Sequence, residues 1–147
     1  MDNLSIFAER LNEFLLFINK DVVTLAQDMQ ISDTTLYALK RGENLPTARV
    51  LFKLLEHFNC SADYLLGLSD DYADKQYPKP TQNFGTRFAN ILKDCKVSQY
   101  TLTKKHNISG HLLYQWLHGQ SVPSATNLIK LSRILQVSVD YLIGLEK

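Results

Sequence analysis

The chain has 147 residues, 45% hydrophobic and 21% charged, with a net charge of +1. That is enough for two small domains, each near the lower size limit for an unassisted core. No apolar run approaches the roughly 20 residues of a membrane span, and the start MDNLSIFAER has neither the basic nor the apolar region of an export signal. Cys60 and Cys95 are the only cysteines. They read as reduced thiols packed as small hydrophobes, not as a disulfide frame or a metal site, and the expected location is the cytoplasm.

Along the chain, Leu4, Phe7, Leu11, Phe14, Leu15 and Ile18 fall at three- and four-residue steps and predict a first helix. Asp21, Ser32, Thr47 and Ser61 then precede further apolar-periodic runs. Each is a good N-cap type, whose side-chain oxygen accepts from a free backbone N–H at a helix start. The connection DMQIS is so short that the second and third helices must cross steeply, as in a helix-turn-helix. Gly42 stops the third helix and Pro46 keeps the chain extended before the fourth. The closing SADYLLGL supplies a cap, an aspartate near the positive end of a helix dipole, and Tyr64, Leu65 and Leu68 to close the core, with Gly67 ending the turn.

After SDDYADKQYPKPTQN (69–83), which has two prolines, three aspartates and no apolar period and reads as a linker, the pattern starts again. Shifted by 77 residues, Phe7–Leu68 aligns without a gap to Phe84–Leu145, with 21 of 62 positions identical. The stripe Phe84, Phe88, Ile91, Leu92, Cys95 repeats the first helix; Ser98, Ser109, Ser124 and Ser138 repeat the caps; Gly119 and Pro123 repeat the stop. The fold class expected is all-α, with a five-helix domain at 1–68 and another at 84–147. No segment alternates as a strand would. Charge divides unevenly: −3 over residues 1–68, −1 over the linker and +5 over 84–147.

FAERLNEF and FGTRFANI, TLAQDM and TLTKKH, ISDTTLYALKRG and ISGHLLYQWLHG, and the two closing segments resemble, in that order, the Cro and phage-repressor (XRE-type) helix-turn-helix family. The resemblance covers nearly the whole chain except the linker. It implies two tandem lambda-repressor-like domains of bacterial or phage type, a sequence-specific transcriptional regulator, a repressor by function, double-stranded DNA as partner, and no cofactor. A fold alone does not dictate that activity. Two departures stand out: the family's Arg in the first helix and Glu at the end of the third are here Leu15 with Lys40, and Leu92 with Leu117.

A recognition helix in the major groove keeps its core stripe inward and its first turns free for base edges. Leu36 and Leu39 face inward in the first copy, leaving Asp33, Thr34, Tyr37, Ala38 and Arg41 outside. In the second copy Leu113 and Trp116 face inward, leaving Gly110, His111, Tyr114, Gln115 and His118. By similarity to the family, 33, 34, 38, 110, 111 and 115 read bases, with Tyr37 and Tyr114 beside them. Phosphate contacts fall to Lys40, Arg41 and Arg49 in the first copy and to Lys104, His118 and Lys130 in the second. The helix starts at Thr47 and Ser124 favour an anion, and Gln99 fills the place of the family's phosphate-clamping Gln, where the first copy has Val22.

One reading makes the chain a covalent pseudo-dimer with two half-site readers, whose linkage raises the effective concentration of the second reader. The other makes the first copy a protein-interaction or homo-dimerisation module and leaves DNA to the second. An enzyme is the weakest reading: His57, His106, His111 and His118 make no zinc pattern, and no nucleophile is paired with a base. His57 reads as a partly buried member of the fourth helix stripe, and the apolar surface of Leu112 and Leu117 with Trp116 either as core or as a contact with the sister domain or another chain.

Overall fold

Asp2 opens the first helix by accepting from the backbone N–H of Ser5 at 2.7 Å, and eight of the nine later helices described in the computed structural model start on a comparable side-chain cap. The structure describes residues 2–71 and 83–145. Its elements are α1 (Asn3–Ile18), α2 (Val22–Met29), α3 (Asp33–Lys40), α4 (Ala48–Phe58), α5 (Ala62–Leu65), α6 (Phe84–Cys95), α7 (Gln99–Lys104), α8 (Gly110–Leu117), α9 (Ala125–Leu135) and α10 (Val139–Leu142). No strand occurs among the described residues. The chain divides into two compact units, Met1–Gln76 with Ser124–Thr126 and Tyr77–Pro123 with Asn127–Lys147. Of the expected linker 69–83, residues 72–82 lie outside the described residues.

In the first unit, Phe7 and Leu11 of α1 are fully buried with Leu25, Leu36, Leu51, Leu54, Leu65 and Leu66. Phe14 stacks on Phe58 with centroids 4.6 Å apart, tying α1 to the end of α4. In the second unit Phe88 meets Trp116 edge-on at 6.2 Å, with Leu102, Leu113, Leu128, Leu131 and Leu142 around them. Gly85 makes that packing close: a Cβ there would stand 2.7 Å from the carbonyl oxygens of Trp116 and Leu117.

The bounds of α3, α4 and α5 recur 77 residues later as α8, α9 and α10. The left-handed backbone positions recur at the same interval: Asn19 and Lys96, Gln30 and Asn107, Gly42 and Gly119, Asn59 and Gln136, Gly67 and Gly144 all have positive φ. Gly42 and Gly119 follow the third helix of their units by two residues, where this conformation ends a helix without a Cβ penalty.

Two helices break the symmetry. α1 runs one turn further back than α6, and Asn3 at its start donates to the Leu66 carbonyl at 2.8 Å. α7 stops at Lys104, two residues before the equivalent of Met29. Just before that end Thr103 stands where the first copy has Ala26, and its hydroxyl bonds back to the carbonyls of Gln99 and Tyr100 at 3.2 and 3.0 Å. The turn that follows is correspondingly wider. Ile31 donates to Ala26, five residues back, whereas Ile108 donates to Leu102, six back.

The closing motif differs in detail from its sequence reading. Leu65 and Leu66 are fully buried, but Tyr64 and Leu68 are only half-buried. Tyr64 presents an edge to Phe14 and its other face to the Arg10 guanidinium, 4.0 Å above the ring. Arg10 also donates to the carbonyls of Tyr64 and Ser69 and pairs with Asp70 at 3.0 Å. Ser69 and Asp70, assigned to the linker by composition, are therefore held against the first unit. In the second unit Arg87 repeats the arrangement, donating to the Tyr141 carbonyl at 2.6 Å with its guanidinium 4.7 Å over that ring.

Candidate nucleic-acid interface

α2 ends on Gln30 in the left-handed conformation, whose N–H bonds back to Ala26 and Gln27, and two residues later Ser32 caps α3 by accepting from the Thr35 N–H at 3.1 Å. This tight pair of boundaries turns the chain sharply between the two helices. Asp21 caps α2 from the Thr24 N–H at 2.7 Å, and that backbone bond, with a smaller contribution from the Thr24 hydroxyl, holds its carboxyl below the usual value of 3.8. In the second unit Ser98 caps α7 and Ser109 caps α8.

Leu36 and Leu39 are buried under α3, and Leu113 and Trp116 under α8, as the stripe requires. Asp33, Thr34 and Tyr37 of α3 and Gly110, His111 and Tyr114 of α8 are exposed together on the outer faces. Ala38 and Gln115, expected on the same outer faces, are half-buried. Their helix position turns them partly toward the core, so their reach outward is shorter than the sequence pattern implies. Leu112 and Leu117 are half-buried as well. Asp33 is folded onto its own helix start, accepting from the Thr34 N–H at 2.9 Å. Tyr114 stacks on His118 at 3.9 Å, and His118 Nδ1 lies 2.8 Å from the Tyr114 carbonyl oxygen.

The expected phosphate contacts separate by unit. Arg41 pairs with Glu43 at 3.1 Å, Arg49 donates to the Gln30 carbonyl at 3.2 Å, and Lys40 is exposed. Thr47 caps α4, accepting from Val50. Gln99, Lys104, His118 and Lys130 are exposed, and Ser124, directly before α9, is half-buried.

Taken across the first unit, Arg10, Lys20, Arg41, Arg49 and Lys53 all have partners within the chain: Lys20 pairs with Asp28 at 2.8 Å, and Lys53 donates to the Met29 and Gln30 carbonyls. Two cations thus close the C-terminus of α2. In the second unit Lys93, Lys96, Lys104, Lys105 and Lys130 are exposed and unpaired among the described residues. Lys130 is the sequence equivalent of Lys53, yet α7 ends two residues early and Lys130 makes no such bond.

Sequence reasoning missed Lys53, although its identity with Lys130 in the repeat marked it. It also missed Tyr100, 71% exposed beside Gln99, and the pair Leu16 and Phe17, 82% and 86% exposed on α1. Those two stand off the buried stripe, which was the signal available. His57 corrects the reading in the other direction: it is exposed, on the solvent side of α4, with its ring edge-on to Phe58. No group of three His, Cys, Asp or Glu side chains is placed to hold a metal among the described residues, and no helix described is long and apolar enough to cross a membrane.

A sharply turned helix pair with an outward third helix defines the first unit as a helix-turn-helix domain. The family model described as "Helix-turn-helix" matches residues 21–65, which span α2 to α5. The chain is also similar to "Repressor protein C2" of Salmonella phage P22, 36% identical over 63 residues, which cover 43% of this chain and 29% of that protein. The chain therefore spans less than a third of the length of that relative. No solved structure matches significantly.

Proposed function

We propose that the chain is a sequence-specific DNA-binding transcriptional regulator of the repressor kind, with two helix-turn-helix readers acting as a covalent pseudo-dimer. The observation that carries this reading is the recurrence, 77 residues apart, of an outward third helix after a sharp turn, α3 and then α8. Because the outer residues differ, Asp33 and Thr34 against Gly110 and His111, the expected site is two unlike half-sites. Asp33, Thr34, Tyr37, Ala38, Gly110, His111, Tyr114 and Gln115 are the candidates for base edges, and the unpaired lysines of the second unit supply most of the phosphate-derived affinity.

The test is selection from a random duplex library with the intact chain, repeated with Asp33→Ala/Thr34→Ala and with His111→Ala/Gln115→Ala. Each double substitution is expected to erase one half of a two-part site. Enrichment of a single short motif that only the second pair of substitutions alters overturns the pseudo-dimer.

A second reading, in which the first unit is an interaction module, is favoured by two observations. Five of its cations are occupied within the chain, and its α1 exposes Leu16 and Phe17. The same selection experiment separates the two readings.

A further inference from the structure

Leu16 and Phe17 are the most exposed large apolar side chains described, and nothing in the helical repeat demands them: the equivalent positions of α6 carry Lys93 and Asp94. The same fold thus accepts charge at both places, and the apolar pair in α1 adds nothing to the core. One and two turns before Phe17 stand Glu13 and Glu9, both exposed and unpaired among the described residues. The outward stripe of α1 therefore reads acid, acid, aromatic at four-residue spacing, with Leu16 beside it. Scattered exposed hydrophobes need no explanation, but two adjacent ones on a helix rimmed by like charge form a surface of stated chemistry.

Its complement is present on the same chain. α7 exposes Tyr100 and, one turn on, Lys104, with Lys105 at its end and Lys96 on the C-cap of α6 three residues before its start, and all three lysines are unpaired among the described residues. With the two helices antiparallel, Phe17 falls opposite Tyr100 and Glu13 opposite Lys104. The net charges agree, −3 over residues 1–68 against +5 over 84–147, whereas pairing first units with each other sets −3 against −3. We infer that the Leu16–Phe17 face of one molecule docks on the Tyr100–Lys104 face of a second copy of this chain.

Two side chains of this size offer roughly 300 Å², well short of the about 800 Å² per partner of a standard interface. The contact is accordingly weak and depends on its charges. Since Lys104 is also a candidate phosphate contact, self-association and DNA binding compete for one surface. The inference extends beyond the DNA reading, and because association is measured without DNA either can fail alone.

The experiment is sedimentation velocity of the full chain over a range of concentrations in low and high salt, for the native sequence, Leu16→Lys/Phe17→Asp and Tyr100→Ala/Lys104→Glu. The first variant borrows the residues of α6, and equal far-UV circular dichroism checks that all three fold alike. The native chain is expected to gain mass with concentration in low salt, to lose that gain in high salt, and both variants to remain monomeric throughout. A native chain that stays monomeric, or an unchanged gain in Leu16→Lys/Phe17→Asp, overturns the docking face. Loss in that variant with an unchanged gain in Tyr100→Ala/Lys104→Glu overturns the Tyr100–Lys104 face as the docking partner.

Discussion

Arg10 shows how one side chain can do what neither its charge nor its position in a stripe announces. Its guanidinium lies over Tyr64 and reaches the carbonyls of Tyr64 and Ser69 and the Asp70 carboxylate, so it joins α1 to the end of the unit. Bonds from a planar fork to several acceptors are the ones lysine cannot copy. Arg10→Ala is expected to destabilise the first unit by about 2–3 kcal/mol, counting the charged hydrogen bonds to carbonyls and lost stem packing but little for the exposed Asp70. Arg10→Lys should recover less than half of that. Urea denaturation of the three proteins checks both values, and equal stability of Arg10→Lys and the native chain would deny the fork its role. The identity of Arg10 with Arg87 was visible in the sequence; its partners were not, because they are backbone oxygens more than 50 residues away and a carbonyl leaves no residue signature.

At the scale of elements, the two units start their helices with different chemistry. Asp2 and Asp21 cap α1 and α2, and acceptance of backbone N–H bonds from Ser5 and Thr24 lowers both carboxyl pKa values below 3.8. Asn83 and Ser98 stand at the corresponding starts of α6 and α7 and do not titrate. A carboxyl whose folded pKa is depressed contributes stability that is complete above its unfolded value and is lost as pH falls through the folded one. The first unit should therefore weaken before the second as pH drops from about 4 toward 2. Trp116, the only tryptophan, is buried in the second unit, so its fluorescence follows that unit alone while circular dichroism follows the helices of both. Circular dichroism at 222 nm should begin to fall at a higher pH than Trp116 fluorescence changes; coincident transitions would contradict the assignment to these caps. The helices themselves were legible because stripes, caps and stops are local. The early end of α7 was not, since nothing in TLTKKH marks that helix as shorter than the one carrying TLAQDM.

For the whole molecule, the decisive contrast is between cations that are occupied and cations that are not. Sequence counting found the charge difference between the units but could not say which lysines are held, since Lys53 and Lys130 occupy the same place in the repeat and only Lys53 meets carbonyls. A phosphate contact releases counterions, so each one removed lowers the slope of log affinity against log salt by about 0.9. Lys104→Glu/Lys130→Glu in the intact chain should flatten that slope by roughly 2, and Arg41→Glu, whose cation is already paired with Glu43, by well under 1. Fluorescence anisotropy of a labelled duplex across a salt series gives both numbers, and equal flattening by the two variants would sink the proposed division of labour. The outer faces of α3 and α8 were likewise readable from the position of the core stripe, but the half-buried Ala38 and Gln115 were not, because a helical wheel gives direction and not depth.

The left-handed bends carry a consequence for how such a chain can change. Five bends recur at the same interval, yet only two of the five pairs use glycine in both places; the others exchange Asn for Lys, Gln for Asn and Asn for Gln. A non-glycine residue there bears a steric cost of roughly 1 kcal/mol, so the surrounding core, and not the residue at the bend, dictates the conformation. The backbone path can then outlast the letters that first wrote it. Two segments that follow one path can differ at their hinges and outer faces, one with acidic and apolar surface and the other with basic, while still folding along the same line.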